Sequence, residues 1–185
     1  MTAIPPRPGR GAVKARLAEI LRVDHAGELG AVHIYRGQRA VMDKARGRQR
    51  TAAQLEEMEG HEAVHLARFD ALLNEHRVRP TLMAPLWRAA GFVLGAGTAL
   101  MGEKAAHACT EAVETVIEEH YASQIAELAG RDPELAAELA KFRDEELAHR
   151  DIAIEEGARD AVGYPLLAAV IQAGCKAAIR ISEKI

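Results

Sequence analysis

Apolar residues recur every three or four positions over most of the chain, and no period-2 alternation runs long enough for a strand. The pattern predicts six helical segments. The first covers about Leu17 to Met42 and ends in the basic "KARGRQR" turn. The second runs from about Thr51 to Asn74 and stops before "HRVRPT", where Pro80 restricts the residue ahead of it. A third spans about Pro85 to Leu100 and a fourth Glu103 to Ala129. Gly130 then suits a C′ position, and Asp132-Pro133 supplies the N-cap and first residue of a fifth helix reaching about Glu156. Gly157 and Gly163 bracket a break, and Pro165 opens the sixth. Segments one, two, four and five are amphipathic and long enough for a four-helix bundle. The expected fold class is therefore all-α.

Composition agrees with this. The 185 residues are 49% hydrophobic but only 4% aromatic, with alanine and leucine supplying most of the apolar bulk, as helices favour. The length fits one domain over residues 16–185, preceded by a Pro/Gly-rich, basic arm over 1–15 that reads as flexible. That arm lacks the apolar stretch of a secretory signal. A net charge of -3 gives no reason to expect nucleic acid as a partner. Cys109 and Cys175 form no C-x-x-C, and two small reduced thiols in a cytosol-facing chain are expected.

Chemistry enters at "HEAVH", His61 to His65. As H-E-x-x-H it suggests two zinc-ligating histidines with Glu62 as general base. The same letters contain E-x-x-H, Glu62/His65, and the chain has a second copy at Glu146/His149 in "ELAH". On a helix, i and i+3 lie about 60° apart, so each carboxylate shares a face with its imidazole. Each motif follows a helix with a candidate inward glutamate, Glu28 in "HAGELGA" and Glu114 in "TEAVETVIEEHY", at spacings of 34 and 32 residues. The half-to-half offsets are 86, 84 and 84 residues, so a helix hairpin is repeated. Four carboxylates and two imidazoles from four helices are the ligand set of ferritin-like di-iron and di-manganese bundles. Two divalent ions would be neutralised by four ionised glutamates, whereas the bare carboxylates would repel and take up protons. Oxygen and imidazole donors suit iron or manganese. Glu111, Glu118 and Glu119 compete with Glu114, and the repeat favours Glu114.

Tyr35 and Tyr121 repeat too, each two turns after its glutamate, and either fill the core or stand near the metals. His120 beside Tyr121 reads as a helix-surface residue or part of that same neighbourhood. Asp24 could orient a ligand histidine or make a surface salt bridge. His25, His33, His76 and His107 have no partner pattern and read as structural or exposed. Met58 and Met101 are core filler by default, and "EEMEGHE" is a solvated face around one inward glutamate.

The remaining two helices, about 85–100 and 165–182, are apolar. "MAPLWRAAGFVLGAGTALM" is near spanning length with a single charge, Arg88, but its proline and glycines argue against a transmembrane span. A bundle-core role competes with attachment at a membrane interface. The latter accounts for Trp87 and Arg88 at one end of the third helix and Lys176 and Arg180 on the sixth.

The blocks "RVDHAGELGAVHIYRGQ", "RVRPTLMAPLWRAAGFVLGAGTALMG", "ACTEAVETVIEEHYASQI", "KFRDEELAHRDIA" and "VIQAGCKAAIRISE" resemble the demethoxyubiquinone hydroxylase family of ubiquinone biosynthesis, from about Val23 to the C-terminus. The resemblance implies a ferritin-like di-iron monooxygenase hydroxylating the ring of a demethoxyubiquinone in the penultimate step of the pathway. It implies two iron ions, O2 as co-substrate and two electrons from NADH, directly or through the quinol. The implied iron ligands are Glu28, Glu62, His65, Glu114, Glu146 and His149, with Glu62 and Glu146 bridging and Glu28 and Glu114 terminal. The family's His-Tyr pair falls on His120 and Tyr121, tied to electron or quinone access. Implied partners are a polyprenyl quinone and a membrane surface, with a homo-oligomer or an accessory lipid-binding protein also open. The implied location is peripheral, on the cytoplasmic side of a bacterial inner membrane. A ferritin-like protein that only binds and oxidises iron is the alternative, and a zinc protease the third reading.

Overall fold

The computed structural model describes residues 10–185 and holds, among them, six α-helices and no strand. They are α1 (Arg10–Met42), α2 (Gln49–His76), α3 (Ala84–Leu100), α4 (Glu103–Leu128), α5 (Pro133–Glu155) and α6 (Tyr164–Ser182). A 3₁₀ turn, Ala158–Asp160, sits between Gly157 and Gly163, both with positive φ. The first helix starts earlier than the apolar pattern predicts. Residues 10–15 of the expected arm are already helical, and residues 1–9 lie outside the described residues.

Helix ends follow local chemistry. Asp132 caps α5 by accepting from the Leu135 N–H at 3.1 Å, with Pro133 in the first turn. α2 closes on a left-handed residue, Arg77 (φ 54°), whose N–H and that of Val78 bond back to Asn74 and Leu73. Gly130 is not the left-handed C′ residue the sequence suggests. The α4 end instead folds the N–H groups of Arg131 and Asp132 onto the Leu128 carbonyl, at 2.8 Å each.

The hairpins α1/α2 and α4/α5 form the bundle, and α2 faces α5 through side chains such as Phe69 and Phe142. Both apolar helices lie on the other side, α3 along α1 and α6 along α4. α3 approaches α1 backbone to backbone. A Cβ on Gly95 would stand 2.0 Å from the Ile34 carbonyl oxygen, and one on Gly91 2.7 Å from that of Gly30. Since neither backbone atom can swing aside, Gly95→Ala is expected to force the helices apart. Thermal or urea unfolding should register a loss of about 1–3 kcal/mol, while Gly97→Ala, in open space, should cost little.

Two apolar plugs close the bundle interior. Ile20, Leu21, Phe69, Leu72 and Leu139 fill one end with Tyr121, and Met42, Leu55, Met58 and Ala106 fill the other with Tyr35. The polar interior lies between them. Met58 is core as expected, but Met101 is 62% exposed, because it falls at the α3–α4 corner where the chain turns outward.

Candidate metal centre

Glu28, Glu62, His65, Glu114, Glu146 and His149 are all buried between the two plugs, at no more than 2% exposure. Their donor atoms fall into two overlapping groups. Glu28, Glu62, His65 and Glu146 form one, and Glu62, Glu114, Glu146 and His149 the other, each with its ligand atoms within 4.8 Å of one another. Glu62 and Glu146 belong to both. Helical spacing causes this arrangement: each E-x-x-H projects its carboxylate and imidazole inward from the bundle's inner face.

His65 turns Nδ1 inward, 3.2 Å from Glu146 Oε1 and 3.5 Å from Glu28 Oε2. His149 does likewise, with Nδ1 3.1 Å from Glu62 Oε1 and 3.4 Å from Glu146 Oε2. Tyr35 donates to Glu114 Oε1 at 2.8 Å, and Tyr121 donates to Glu28 Oε1. Each tyrosine thus serves the glutamate of the opposite hairpin. Burial and the facing carboxylates raise both phenols well above their ordinary range, so each stays a neutral donor.

The carboxylates do not behave alike. Burial, with the neighbouring carboxylates, raises Glu28 and Glu114 well above the usual carboxylate range. Burial also opposes the charged form of Glu62, but the imidazoles of His149 and His65 outweigh it and hold its carboxyl at about 2. Burial works against His149⁺ as well, yet Glu146 and Glu62 lift it to about 9. Uptake of protons by crowded carboxylates, as expected from the sequence, thus falls on Glu28 and Glu114.

Eight inward atoms of this cluster have no hydrogen-bond partner: five oxygens from Glu28, Glu62 and Glu146, Glu28 giving one, plus Glu114 Oε2 and the Nδ1 atoms of both histidines. Buried acceptors left open at such density are costly, by about 1–3 kcal/mol each or more for charged groups. Hard oxygens with imidazole nitrogens, no thiolate and a net negative set fit a pair of divalent cations of the iron or manganese type. The zinc-protease geometry does not form. His65 points inward, whereas His61 is exposed and its Nδ1 meets His149 Nε2 at 3.0 Å, so the two histidines of "HEAVH" do not converge.

Around the cluster, several residues take roles the sequence did not assign. Glu145 Oε2 holds His65 Nε2 at 2.7 Å, and Phe142 packs on the His65 ring at 4.2 Å between centroids. Asp24 neither orients a ligand histidine nor makes a surface salt bridge. It is buried, accepts from Gln124 at 2.7 Å, and stands 3.5 Å from His120, which is itself 2.9 Å from Gln124. His120 is therefore part of a network leading to the turn before Glu28, and not a plain surface residue. His25 pairs with Asp70 at 3.1 Å. Of the competing glutamates, Glu111 pairs with Arg159 at 2.9 Å and Glu119 with Lys176 at 3.3 Å. Only Glu114, among them, belongs to the two donor groups.

A cavity of ≈ 380 Å³ lies between α1, α3, α4 and α6. Its wall is apolar, built from residues such as Gly30, Gly91, Leu94, Val113, Ile117 and Ile171. Gly27 and Val113 on this wall adjoin Glu28 and Glu114 in sequence, so the cavity and the donor cluster lie on neighbouring faces of the same two helices. Trp87 donates to Ser182 Oγ at 2.9 Å across the rim. Burial pushes the Cys175 thiol on the wall up to about 11, so it stays neutral. Both cysteines are free.

Residues 15–182 match the family model described as "Ubiquinone biosynthesis protein COQ7". The chain is 49% identical over 178 residues to the "3-demethoxyubiquinol 3-hydroxylase" of Rhodospirillum rubrum, covering 96% of this chain and 82% of that one. It is 48% identical over 176 residues to the human "NADPH-dependent 3-demethoxyubiquinone 3-hydroxylase, mitochondrial", covering 93% and 79%. The "5-demethoxyubiquinone hydroxylase, mitochondrial" of Saccharomyces cerevisiae is 41% identical over 186 residues, covering 92% and 79%.

Proposed function

Because the chain belongs to the COQ7 family of ubiquinone biosynthesis proteins, we propose that it hydroxylates the ring of a demethoxyubiquinol at a di-iron centre. The observation that carries this reading is the pair of four-residue donor groups sharing Glu62 and Glu146, on helices that also wall an apolar cavity. Glu62 and Glu146 would bridge two irons, with Glu28 and His65 on one and Glu114 and His149 on the other. Bound there, the irons would supply the reductive activation of O2, placing one oxygen atom on the ring and releasing the other as water at the expense of two electrons.

The protein's own contribution is positional. The two plugs exclude water from the donor cluster. Tyr35 and Tyr121 hold protons against Glu114 and Glu28, limiting the negative charge those carboxylates present. His120, with Gln124 and Asp24, provides a polar path from the surface to the neighbourhood of Glu28 and Tyr121, suited to proton or electron delivery. The apolar cavity accepts the quinone and the start of its tail, since a polyprenyl chain gains about 0.8 kcal/mol for each methylene withdrawn from water. The electrons come from a reduced nicotinamide nucleotide. NADH is the donor expected from the sequence, while the human relative's name specifies NADPH.

A membrane surface supplies such a substrate. Leu86, Val93 and Leu100 on α3 and Leu166 and Val170 on α6 are large, apolar and exposed. Arg88 on α3 and Arg180 on α6, both exposed, would serve as headgroup contacts, with Lys176 joining them when it leaves Glu119. Among the described residues only α6 is long and apolar enough to cross a membrane, by length and composition alone. The exposed apolar side chains support peripheral attachment through α3 and α6, and the family resemblance adds the cytoplasmic side of a bacterial inner membrane to the proposal. A protein that only stores or oxidises iron would leave the cavity and this apolar face without a purpose.

The test is lipid analysis of a strain lacking the endogenous hydroxylase. The wild-type gene should restore ubiquinone and remove the demethoxy precursor, and Glu146→Ala should leave the precursor in place. Restoration by both genes would contradict a role for the donor cluster, and restoration by neither would contradict the assigned reaction.

A further inference from the structure

The ring edges turned away from the cluster are held in a reciprocal way. With Nδ1 of each histidine committed to a metal, the one ring proton would sit on Nε2 and need an acceptor on the outside. His65, on α2, finds it in Glu145 of α5, at 2.7 Å. His149, on α5, finds it in His61 of α2, at 3.0 Å. Both acceptors stand one residue before the opposite hairpin's E-x-x-H, which puts them at equivalent places on the bundle's outer seam, and both are exposed. The two imidazoles of the second pair lie side by side nearly in one plane, with centroids 5.3 Å apart and 8° between planes. With 3.0 Å between the facing nitrogens, that is an in-plane N–H···N bond and not a stack.

The equivalence is geometric but not electrostatic. A carboxylate acceptor pushes electron density onto the imidazole it holds, whereas a neutral imidazole acceptor does so far less. We infer that Glu145 and His61 are reciprocal positioning residues whose unequal charge makes the two metal positions unequal, the Glu28/His65 position binding a divalent cation first and more tightly. This rests on the two-metal reading of the donor cluster. Neither acceptor belongs to either four-residue donor group, so each can be changed without removing a ligand.

The experiment is titration of metal-stripped, full-length protein with Co(II) alone, followed by calorimetry and by the ligand-field bands, with circular dichroism as a check on folding. Wild type should take up two ions in separable steps. Glu145→Ala should weaken the tighter step by about 10–100-fold and change the bands of the first equivalent. Glu145→Gln, which keeps an acceptor but not the charge, should fall between. His61→Glu should tighten the second step and bring the two affinities together. Two steps that stay within twofold of wild type in both Glu145→Ala and His61→Glu, with unchanged bands, would overturn the inference and leave the two-metal reading standing. Uptake of fewer than two ions by wild type would overturn both.

Discussion

Replacing Glu62 with alanine is expected to empty both metal positions, whereas replacing Glu28 should weaken chiefly one. Glu62 contributes to both donor groups and Glu28 to a single one. Its removal also takes away the carboxylate 3.1 Å from His149 Nδ1 and 3.8 Å from His65 Nδ1, so both imidazoles lose a facing negative charge. Loss of metal affinity should exceed about 100-fold, the upper range for losing an outer partner alone, and hydroxylation should become undetectable. Iron per chain, measured after reconstitution and desalting, separates the cases. Glu62→Ala should fall to near zero and Glu28→Ala to about half of wild type. Because Glu62 is buried, Glu62→Gln provides the control for folding: it keeps the shape and loses the charge, and should also fail to hold iron.

The second large effect concerns pH. In the metal-stripped protein, His149 is lifted from an ordinary 6.5 to about 9. A raised pKa gives stability that is fully present below 6.5 and lost as pH climbs through about 9. Glu28 and Glu114 are raised too, by burial first, and act in the same sense above the ordinary carboxylate range. Glu62, held at about 2, acts oppositely, but its contribution is lost only as pH falls from its ordinary 4.5 toward about 2. Stripped protein should therefore melt lower at pH ~9 than at pH ~6, on the order of 5–10 °C for a chain of this size. Metal replaces those protons and binds better as pH rises, so the loaded protein should not show that loss. Paired melting curves with and without chelator check this, and equal pH responses would contradict it.

What could be read from the sequence is what a single helix determines. The two E-x-x-H motifs and the glutamates ahead of them share faces by periodicity, and the 84-residue offset marks them as one repeated unit. The same logic distinguished Glu114 from Glu111 and Glu119, which the structure ties up with Arg159 and Lys176. What could not be read depends on which helices face each other. Glu145 and His61 matter only once α2 and α5 are opposed across the cluster, although their shared place before E-x-x-H was visible. Asp24 takes neither of the two roles open to it in the sequence, because Gln124, a hundred residues later, folds onto it. The helical start at Arg10 was hidden by the Pro- and Gly-rich residues just before it. The cavity was legible only in outline. Its wall is set by how α1, α3, α4 and α6 meet, and no single helix determines that.

The most direct measurement of the central claim is the fate of labelled oxygen in a single turnover. Iron-loaded protein is reduced, given a short-tailed demethoxyquinol and exposed to ¹⁸O2 in unlabelled water. The account predicts a product ring hydroxyl carrying one ¹⁸O atom, formed by wild type and absent with Glu62→Ala. No hydroxylated product, or a hydroxyl whose oxygen comes from water, would contradict it.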